Sequence, residues 1–158
     1  MRFTLDSNVL VYAIDRDAGA KHALAANMIA RAAHADCVLT LQSLAEFFNV
    51  VTRTKGGRKR ALAPRLAASI VGDWRTVFPV HAADEFALVR AMAAVGRHGL
   101  SFWDAMLWAA ARRAACWVIL SEDFEDGRRI EGVRFVNPFR QENDARLDRV
   151  LASAPRSP

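Results

Sequence analysis

Cysteine is scarce: only 2 of the 158 residues carry a thiol. Both, Cys37 in Ala-Asp-Cys-Val-Leu and Cys116 in Ala-Ala-Cys-Trp-Val, are embedded in apolar sequence. A disulfide framework and a thiolate metal site are thereby excluded, and both read as small core residues. The 4 histidines, His22, His34, His81 and His98, lie in or beside helical segments without metal spacing between them, which argues against zinc. Long uncharged apolar runs are also missing. Nothing approaches the roughly 20 residues of a spanning helix, and Asp6 interrupts the apolar stretch that a secretory leader would need. A cytoplasmic protein with no membrane association is expected. Glycine is sparse too, and Gly56-Gly57 before Arg58-Lys59-Arg60 has neither the spacing nor the preceding strand of a phosphate loop. No Ser/His/Asp triad order, internal repeat or low-complexity block is present.

What remains is a chain long enough for one domain with a real core, at 53% hydrophobic content. The expected organisation is a domain over residues 1–140 and a polar, frayed tail over 141–158, where apolar content falls and the chain ends in Ser-Ala-Pro-Arg-Ser-Pro. Alanine-rich stretches at 23–33 and 105–115 favour helix, so strands must be short and few. Residues 2–5, 37–39, 117–120 and 133–136 read as strands. Helices are expected over 9–14, 21–35, 41–53, 62–77, 83–97 and from about 101 to 113. In the third of these, Leu41, Leu44, Ala45, Phe48 and Val51 make one apolar stripe, with Gln42, Glu46, Asn49 and Arg53 along another face. Apolar strands without clean alternation, separated by helices, predict an α/β fold: a short, mostly parallel sheet flanked by helices on both faces, with ligands outside the carboxyl ends of the strands.

Formal charge is +5, from 22 Lys and Arg against 17 Asp and Glu. The imbalance is local: Arg53, Lys55, Arg58, Lys59, Arg60 and Arg65 occur with no acid among them. The run is a candidate phosphate contact, against the plainer reading of a solvated loop around Gly56-Gly57.

Four acids stand at the ends of otherwise apolar segments: Asp6, Glu46, Asp104 and Asp123. Each has a structural explanation of its own. Asp6 can cap the helix that follows it, Ser101-x-x-Asp104 has capping-box spacing, Glu46 can face solvent, and Asp123 can be a loop residue. Jointly they say more. Strand ends and helix starts in a parallel sheet converge on one edge, where close carboxylates repel and one stays protonated unless a cation compensates. Oxygen-only ligands suit a hard cation, Mg²⁺ or Mn²⁺.

These residues carry a family resemblance. Asp6-Ser7-Asn8-Val9-Leu10, the lone Glu46, Phe102-Trp103-Asp104-Ala105, Ser121-Glu122-Asp123-Phe124 and Val133-Arg134-Phe135-Val136-Asn137-Pro138-Phe139, in this order, resemble a PIN-domain ribonuclease. More narrowly they resemble the VapC-type toxins of bacterial toxin–antitoxin pairs. The resemblance spans residues 1–139. It implies a PIN-like sandwich, Mg²⁺- or Mn²⁺-dependent hydrolysis of RNA, and metal-binding and catalytic roles for Asp6, Glu46, Asp104 and Asp123. Asn8 and Ser121 match supporting polar positions. For the fourth acid, Glu122 and Asp126 stand in the same turn, and Asp123 is preferred for its Ser-x-Asp setting. The family also implies a cognate antitoxin and homodimerisation, for which the region of Phe86-Ala87-Leu88 and Trp74 offers an interface as readily as a core. Arg53, Lys55, Arg58, Lys59 and Arg60 become the expected RNA contacts.

Three other readings compete. A housekeeping RNA-processing nuclease would share every residue above. An Asp/Mg²⁺-dependent phosphoacceptor or phosphatase would use the same strand-end acid, but Asn8 stands where the haloacid-dehalogenase version needs a second Asp. A non-catalytic RNA-binding module would not require the full acid set.

Overall fold

The computed structural model describes residues 1–53 and 61–152. The chain starts with β1 (Phe3–Leu5), turns at once into α1 (Ser7–Ile14), and passes through a short 3₁₀ turn at Arg16–Ala18 into α2 (Ala20–Ala32). Next come β2 (Leu39–Thr40), α3 (Leu41–Val51), α4 (Pro64–Val77), β3 (Val80–His81), α5 (Glu85–His98) and α6 (Phe102–Arg113). The remainder comprises β4 (Val118–Leu120), β5 (Arg129–Ile130), β6 (Val133–Val136), a 3₁₀ turn at Gln141–Asn143 and α7 (Asp144–Leu151).

The strands form a four-stranded sheet in the order β1-β4-β6-β5, and β2 and β3 form a parallel pair. β1, β4 and β6 run parallel, and only the edge strand β5 is antiparallel. The β2–β3 pair continues the sheet at its other side through a parallel bridge between Phe3 and Cys37, with Val38 N–H donating to the Phe3 carbonyl at 3.0 Å. Alternation of side chains across the pleat divides the core in two. Phe3, Leu5, Val118, Leu120 and Val136 point to the side of α1, α2 and α7, where they meet Leu10, Met28 and Phe47. Ile119 and Phe135 point the other way, into Ala91, Trp108 and Ala109 of α5 and α6. The expected mostly parallel sheet between helical layers is therefore the observed one. Both cysteines are buried, and burial pushes the Cys116 thiol up to about 12. Among the described residues no helix is long and apolar enough to cross a membrane.

Several expectations need correction. Two strands were not expected from the pattern, β3 and β5, each 2 residues long and so too short to carry a period. β5 exists because residues 131 and 132 both adopt left-handed backbone, φ 45° at Glu131 and 92° at Gly132, the geometry of a tight hairpin turn. Glu131 holds this strained position while its carboxylate binds Arg90 Nη2 at 2.6 Å and Arg112. The stripe of α3 is rotated: Ser43, Leu44, Phe47 and Val51 are buried, whereas Leu41, Ala45 and Phe48 are exposed. Trp74 packs edge-on against Phe47, with ring centroids 4.7 Å apart, and serves the core; Phe86 and Leu88 are exposed.

The tail expectation also differs from the structure. Residues 141–151 fold into the last turn and α7, which buries Val150 and Leu151 in the same core as β1 and β6. These two, with the partly buried Leu147, hold a short polar helix because a ready-made surface receives them. Residues 153–158 lie outside the described residues. Asn143 fastens the junction: its amide donates to Asp126 Oδ1 at 2.8 Å and to the Asn137 carbonyl at 3.0 Å, and it is buried. Asn143→Ala leaves both acceptors short of a donor and should cost about 1–3 kcal/mol of stability. Chemical denaturation checks this, and an unchanged midpoint would mean that α7 docks without it.

A carboxylate site at the C-terminal edge of the sheet

Asp6 lies where β1 ends. Its N–H donates to the Leu120 carbonyl of β4 at 3.0 Å, and Ser121 N–H donates in turn to the Val136 carbonyl of β6 at 3.0 Å. Register along three parallel strands thus brings residues 6 and 121, distant in sequence, side by side. Asp6 caps α1: Oδ1 accepts from Ser7 N–H at 2.6 Å. The capping role foreseen for it is real, but it occupies only one of its oxygens. Oδ2 accepts from Ser121 Oγ at 2.6 Å and from Asn8 Nδ2 at 3.2 Å.

Two neutral side chains connect Asp6 to further acids. Ser7 Oγ lies 3.3 Å from Asp6 Oδ1 and 3.0 Å from Glu46 Oε2. Asn8 Nδ2 lies within reach of three acceptors, Asp6 Oδ2, Ser121 Oγ at 3.1 Å and Asp123 Oδ2 at 3.0 Å. With two hydrogens for three acceptors, this amide is over-subscribed. Its Oδ1 is meanwhile buried without a hydrogen-bond partner. Burial, and after it the nearby charges of Asp123 and Glu46, raises the Asp6 carboxyl to about 6, against hydrogen bonds from Ser121 and Ser7 that pull it down.

Asp104 stands in the first turn of α6. Ser101 Oγ accepts from its N–H at 3.2 Å, but the reciprocal half of the capping box is not made. The half-buried Asp104 carboxylate has no hydrogen-bond or ion-pair partner among the described residues, so capping does not account for it. Gln42 fastens this turn to α3: its Nε2 donates to Glu46 Oε1 at 2.7 Å and to the Trp103 carbonyl at 2.9 Å. Asp6, Glu46 and Asp123 are therefore linked through Ser7 and Asn8, and the turn carrying Asp104 is joined to Glu46 through Gln42.

The competing acids of the β4–β5 turn are engaged elsewhere. Glu122 accepts from Tyr12 Oη and from Lys21 Nζ, both at 2.5 Å, and the Phe139 ring meets Tyr12 edge-on. Asp126 Oδ1 accepts from Asn137 N–H and Asn143 Nδ2. The Tyr12–Lys21–Glu122 group was not foreseen. Its members are distant in sequence, and only the docking of α1 and α2 on the turn brings them together. Of the basic run, Arg53 is exposed after α3; Lys55, Arg58, Lys59 and Arg60 lie outside the described residues.

Asn8, Tyr12, Asp15, Asp17, Glu122 and Asp123 line a cleft of about 480 Å³ on one side of the acids. Among the described residues, no three Asp, Glu, His or Cys side chains stand close enough to hold an ion as they are. Ser7 and Asn8 fill the gaps between the carboxylates. The donor set nonetheless fits a hard cation: carboxylate oxygens, an amide oxygen without a partner and no sulfur or imidazole.

The fold and site together define an α/β domain with acids past its parallel strand ends, and the family comparison places it. Residues 3–131 match the PIN domain model, and the chain belongs to the PIN domain family. A comparison with curated proteins finds no match. Among solved structures, the chain is similar to the sarcin-ricin-loop-cleaving toxin VapC20 of Mycobacterium tuberculosis, at 21% identity over 77% of this chain and 91% of that one, with a TM-score of 0.59. It also resembles VapBC2 of Rickettsia felis bound to a promoter DNA fragment, at 15% identity over 87% and 98%, with a TM-score of 0.61. A third likeness is to FitAcB of Neisseria gonorrhoeae, at 18% identity over 87% and 98%, with a TM-score of 0.56. At these identities the likeness concerns the fold.

The raised Asp6 carboxyl has a consequence for stability. Titrating near 6 when folded and near 3.8 when unfolded, it binds more protons in the folded state between those values. Its contribution is full below pH 4 and is lost as pH rises through 6, a difference of about 3 kcal/mol. In ion-free buffer above pH 6, Asp6→Asn should therefore raise stability by up to about 3 kcal/mol, less whatever the altered hydrogen bonds cost. Below pH 4 the gain should vanish. Denaturant titrations across pH 4–8 measure it, and a variant less stable than wild type at pH 7.5 would show that Asp6 serves the fold first.

Proposed function

We propose that this chain is a metal-dependent endoribonuclease, the toxin of a type II toxin–antitoxin pair, working in the cytoplasm and inhibited by a cognate antitoxin. The observation that carries the reading is the buried Asp6 carboxyl, raised toward neutrality and joined to Asp123 and Glu46 by the side chains of Asn8 and Ser7. A fold gains nothing from that crowding unless a cation relieves it.

In this reading Asp6, Glu46, Asp104 and Asp123 hold one or two Mg²⁺ or Mn²⁺ ions. The bound ion would lower the pKa of a water and offset charge on the leaving oxygen of a phosphodiester. The chain's own part is to orient. Ser121 and Ser7 aim the two Asp6 oxygens through separate hydrogen bonds. Asn8 spaces Asp6 from Asp123 and keeps an amide oxygen beside them. Gln42 sets the height of α6, and with it Asp104, against Glu46. Single-stranded or looped RNA suits an open cleft, because its bases and backbone are accessible. Arg53, Lys55, Arg58, Lys59 and Arg60 would meet its phosphates.

An antitoxin partner and a homodimer belong to the same proposal. Solved relatives of this fold include a toxin–antitoxin complex from Klebsiella pneumoniae. Exposed Phe86, Val89 and Met92 on α5 supply apolar surface for such contacts.

Two measurements decide the chemistry. Mn²⁺ at a hundred times its dissociation constant should stabilise the wild-type chain by about 2.7 kcal/mol, and Asp6→Asn should abolish most of that gain. A melting temperature that ignores Mn²⁺ in the wild type would rule out a metal site here. In parallel, Asp104→Asn should lose at least 100-fold in RNA cleavage while its melting temperature stays within a few degrees of wild type, as befits a carboxylate with no partner in the fold. Cleavage that survives thorough chelation with EDTA would refute metal catalysis.

A further inference from the structure

Most arginines that pack against this fold have an acid to meet. Arg2 pairs with Asp36, Arg31 with Asp148, Arg113 with Asp84, and Arg90 and Arg112 with Glu131. At the β5–β6 edge the pattern breaks. Arg129 and Arg134 are register partners in the antiparallel ladder, so their side chains leave the same face of the two strands directly opposite each other. Like charges in that position destabilise a strand pair. Neither has an ion pair or a side-chain hydrogen bond among the described residues.

Alternation puts this face on the side of the sheet that α7 covers, because Arg134 shares it with Val118 and Val136. α7 adds a third guanidinium, Arg146, which donates to Asn143 Oδ1 at 2.7 Å and lies within electrostatic range of Arg134. The acid in reach, Asp126, accepts two hydrogen bonds on Oδ1, from Asn137 and Asn143, and its single charge is shared among Arg134, Arg140 and Arg146. Burial, followed by Arg129 and Arg146, works against the charge of Arg134. A guanidinium does not escape by losing its proton. Asp126 offsets part of this charge, and a bound anion would offset the rest.

We propose that Arg129, Arg134 and Arg146 bind the phosphodiester backbone of the RNA, beyond the bond to be cut. The inference rests on the ribonuclease reading and adds a track to it. Counting strand spacings and residue rises from Asp6, the patch stands roughly 14–18 Å from the acids on the same sheet, so one extended strand can touch both. A polyanion fits better than a lone phosphate, because the cations are spread over two strands and a helix.

The test uses the full chain in EDTA, with a fluorescent 2′-O-methyl oligouridine of about 12 nucleotides as probe. Its dissociation constant is read by anisotropy over a series of salt concentrations. Each lost phosphate contact should lower the slope of log Kd against log salt by about 0.7. Arg129→Ala/Arg134→Ala should lower it by about 1.4 and weaken binding about tenfold at 0.1 M salt. Arg129→Ala alone, at an exposed position, should remove about 0.7 whether or not the half-buried Arg134 tolerates replacement. The double lysine variant should keep the wild-type slope. Unchanged slopes in the alanine variants would overturn the proposal. So would intact RNA binding with lost binding of poly-glutamate, which would assign the patch to an acidic protein. The two readings fail separately. Metal-dependent cleavage with no change in slope sinks the patch alone, whereas a lower slope in a chain that never cleaves RNA sinks the nuclease alone.

Discussion

Asp6 must hold its charge, or give it up, where water scarcely reaches. The side chain is 5% exposed, lies between two other carboxylates, and is held by hydrogen bonds from Ser7, Asn8 and Ser121. The position is not negotiable, because the Asp6 backbone is part of the sheet and its side chain starts α1. Much of the surrounding architecture serves that one group. β4 delivers Ser121, α1 delivers Ser7 and Asn8, and α3 delivers Glu46. An isolated buried carboxylate costs several kcal/mol and is protonated instead. Here it sits poised, close enough to neutrality for its charge to depend on what arrives.

The neighbours show how such a site survives folding without collapsing or repelling. Ser7 and Asn8 are neutral spacers, each contacting two acids, and the Asn8 amide serves more acceptors than it has hydrogens. Glu122, which could have joined the cluster, is drawn away by Tyr12 and Lys21. Asp126 is drawn away by the start of α7. The turn after β4 thus sorts its acids: Glu122 and Asp126 secure the fold, and Asp123 is left facing Asp6. This division ties stability to the site, since the same turn that anchors α1, α2 and α7 also sets the distance from Asp123 to Asp6.

Charge is distributed with the same economy over the rest of the molecule. Glu131, in a strained backbone conformation, collects Arg90 and Arg112 and holds the β5–β6 hairpin against α5 and α6. Two residues away in the ladder, Arg129 and Arg134 face each other without such help. One face of the hairpin is neutralised internally and the other is left positive. A protein whose acids gather at one edge of its sheet needs cations elsewhere if it is to approach a polyanion at all.

Amino-acid order alone settled the class of fold and marked out four candidate acids, because both rest on local signals. Apolar runs mark strands, alanine-rich stretches mark helices, and an acid after Phe3-Thr4-Leu5 or after Phe102-Trp103 is visible without coordinates. The capping readings of Asp6 and Asp104 were legible as well, but not how little of each carboxylate they use. What needed the folded chain was every relation between distant residues. Strand register sets residue 6 beside residue 121, helix docking pulls Glu122 out of the cluster, and α7 folds only because the sheet side of the core offers Leu147, Val150 and Leu151 a place. Two-residue strands such as β3 and β5 have no period to read, and the polar composition of residues 141–152 hides a helix whose stability is borrowed from its contacts. The physical reason is common to all of these. Periodicity and capping act within a few residues and are written in composition, whereas burial, pairing and charge relief depend on which surfaces meet after collapse.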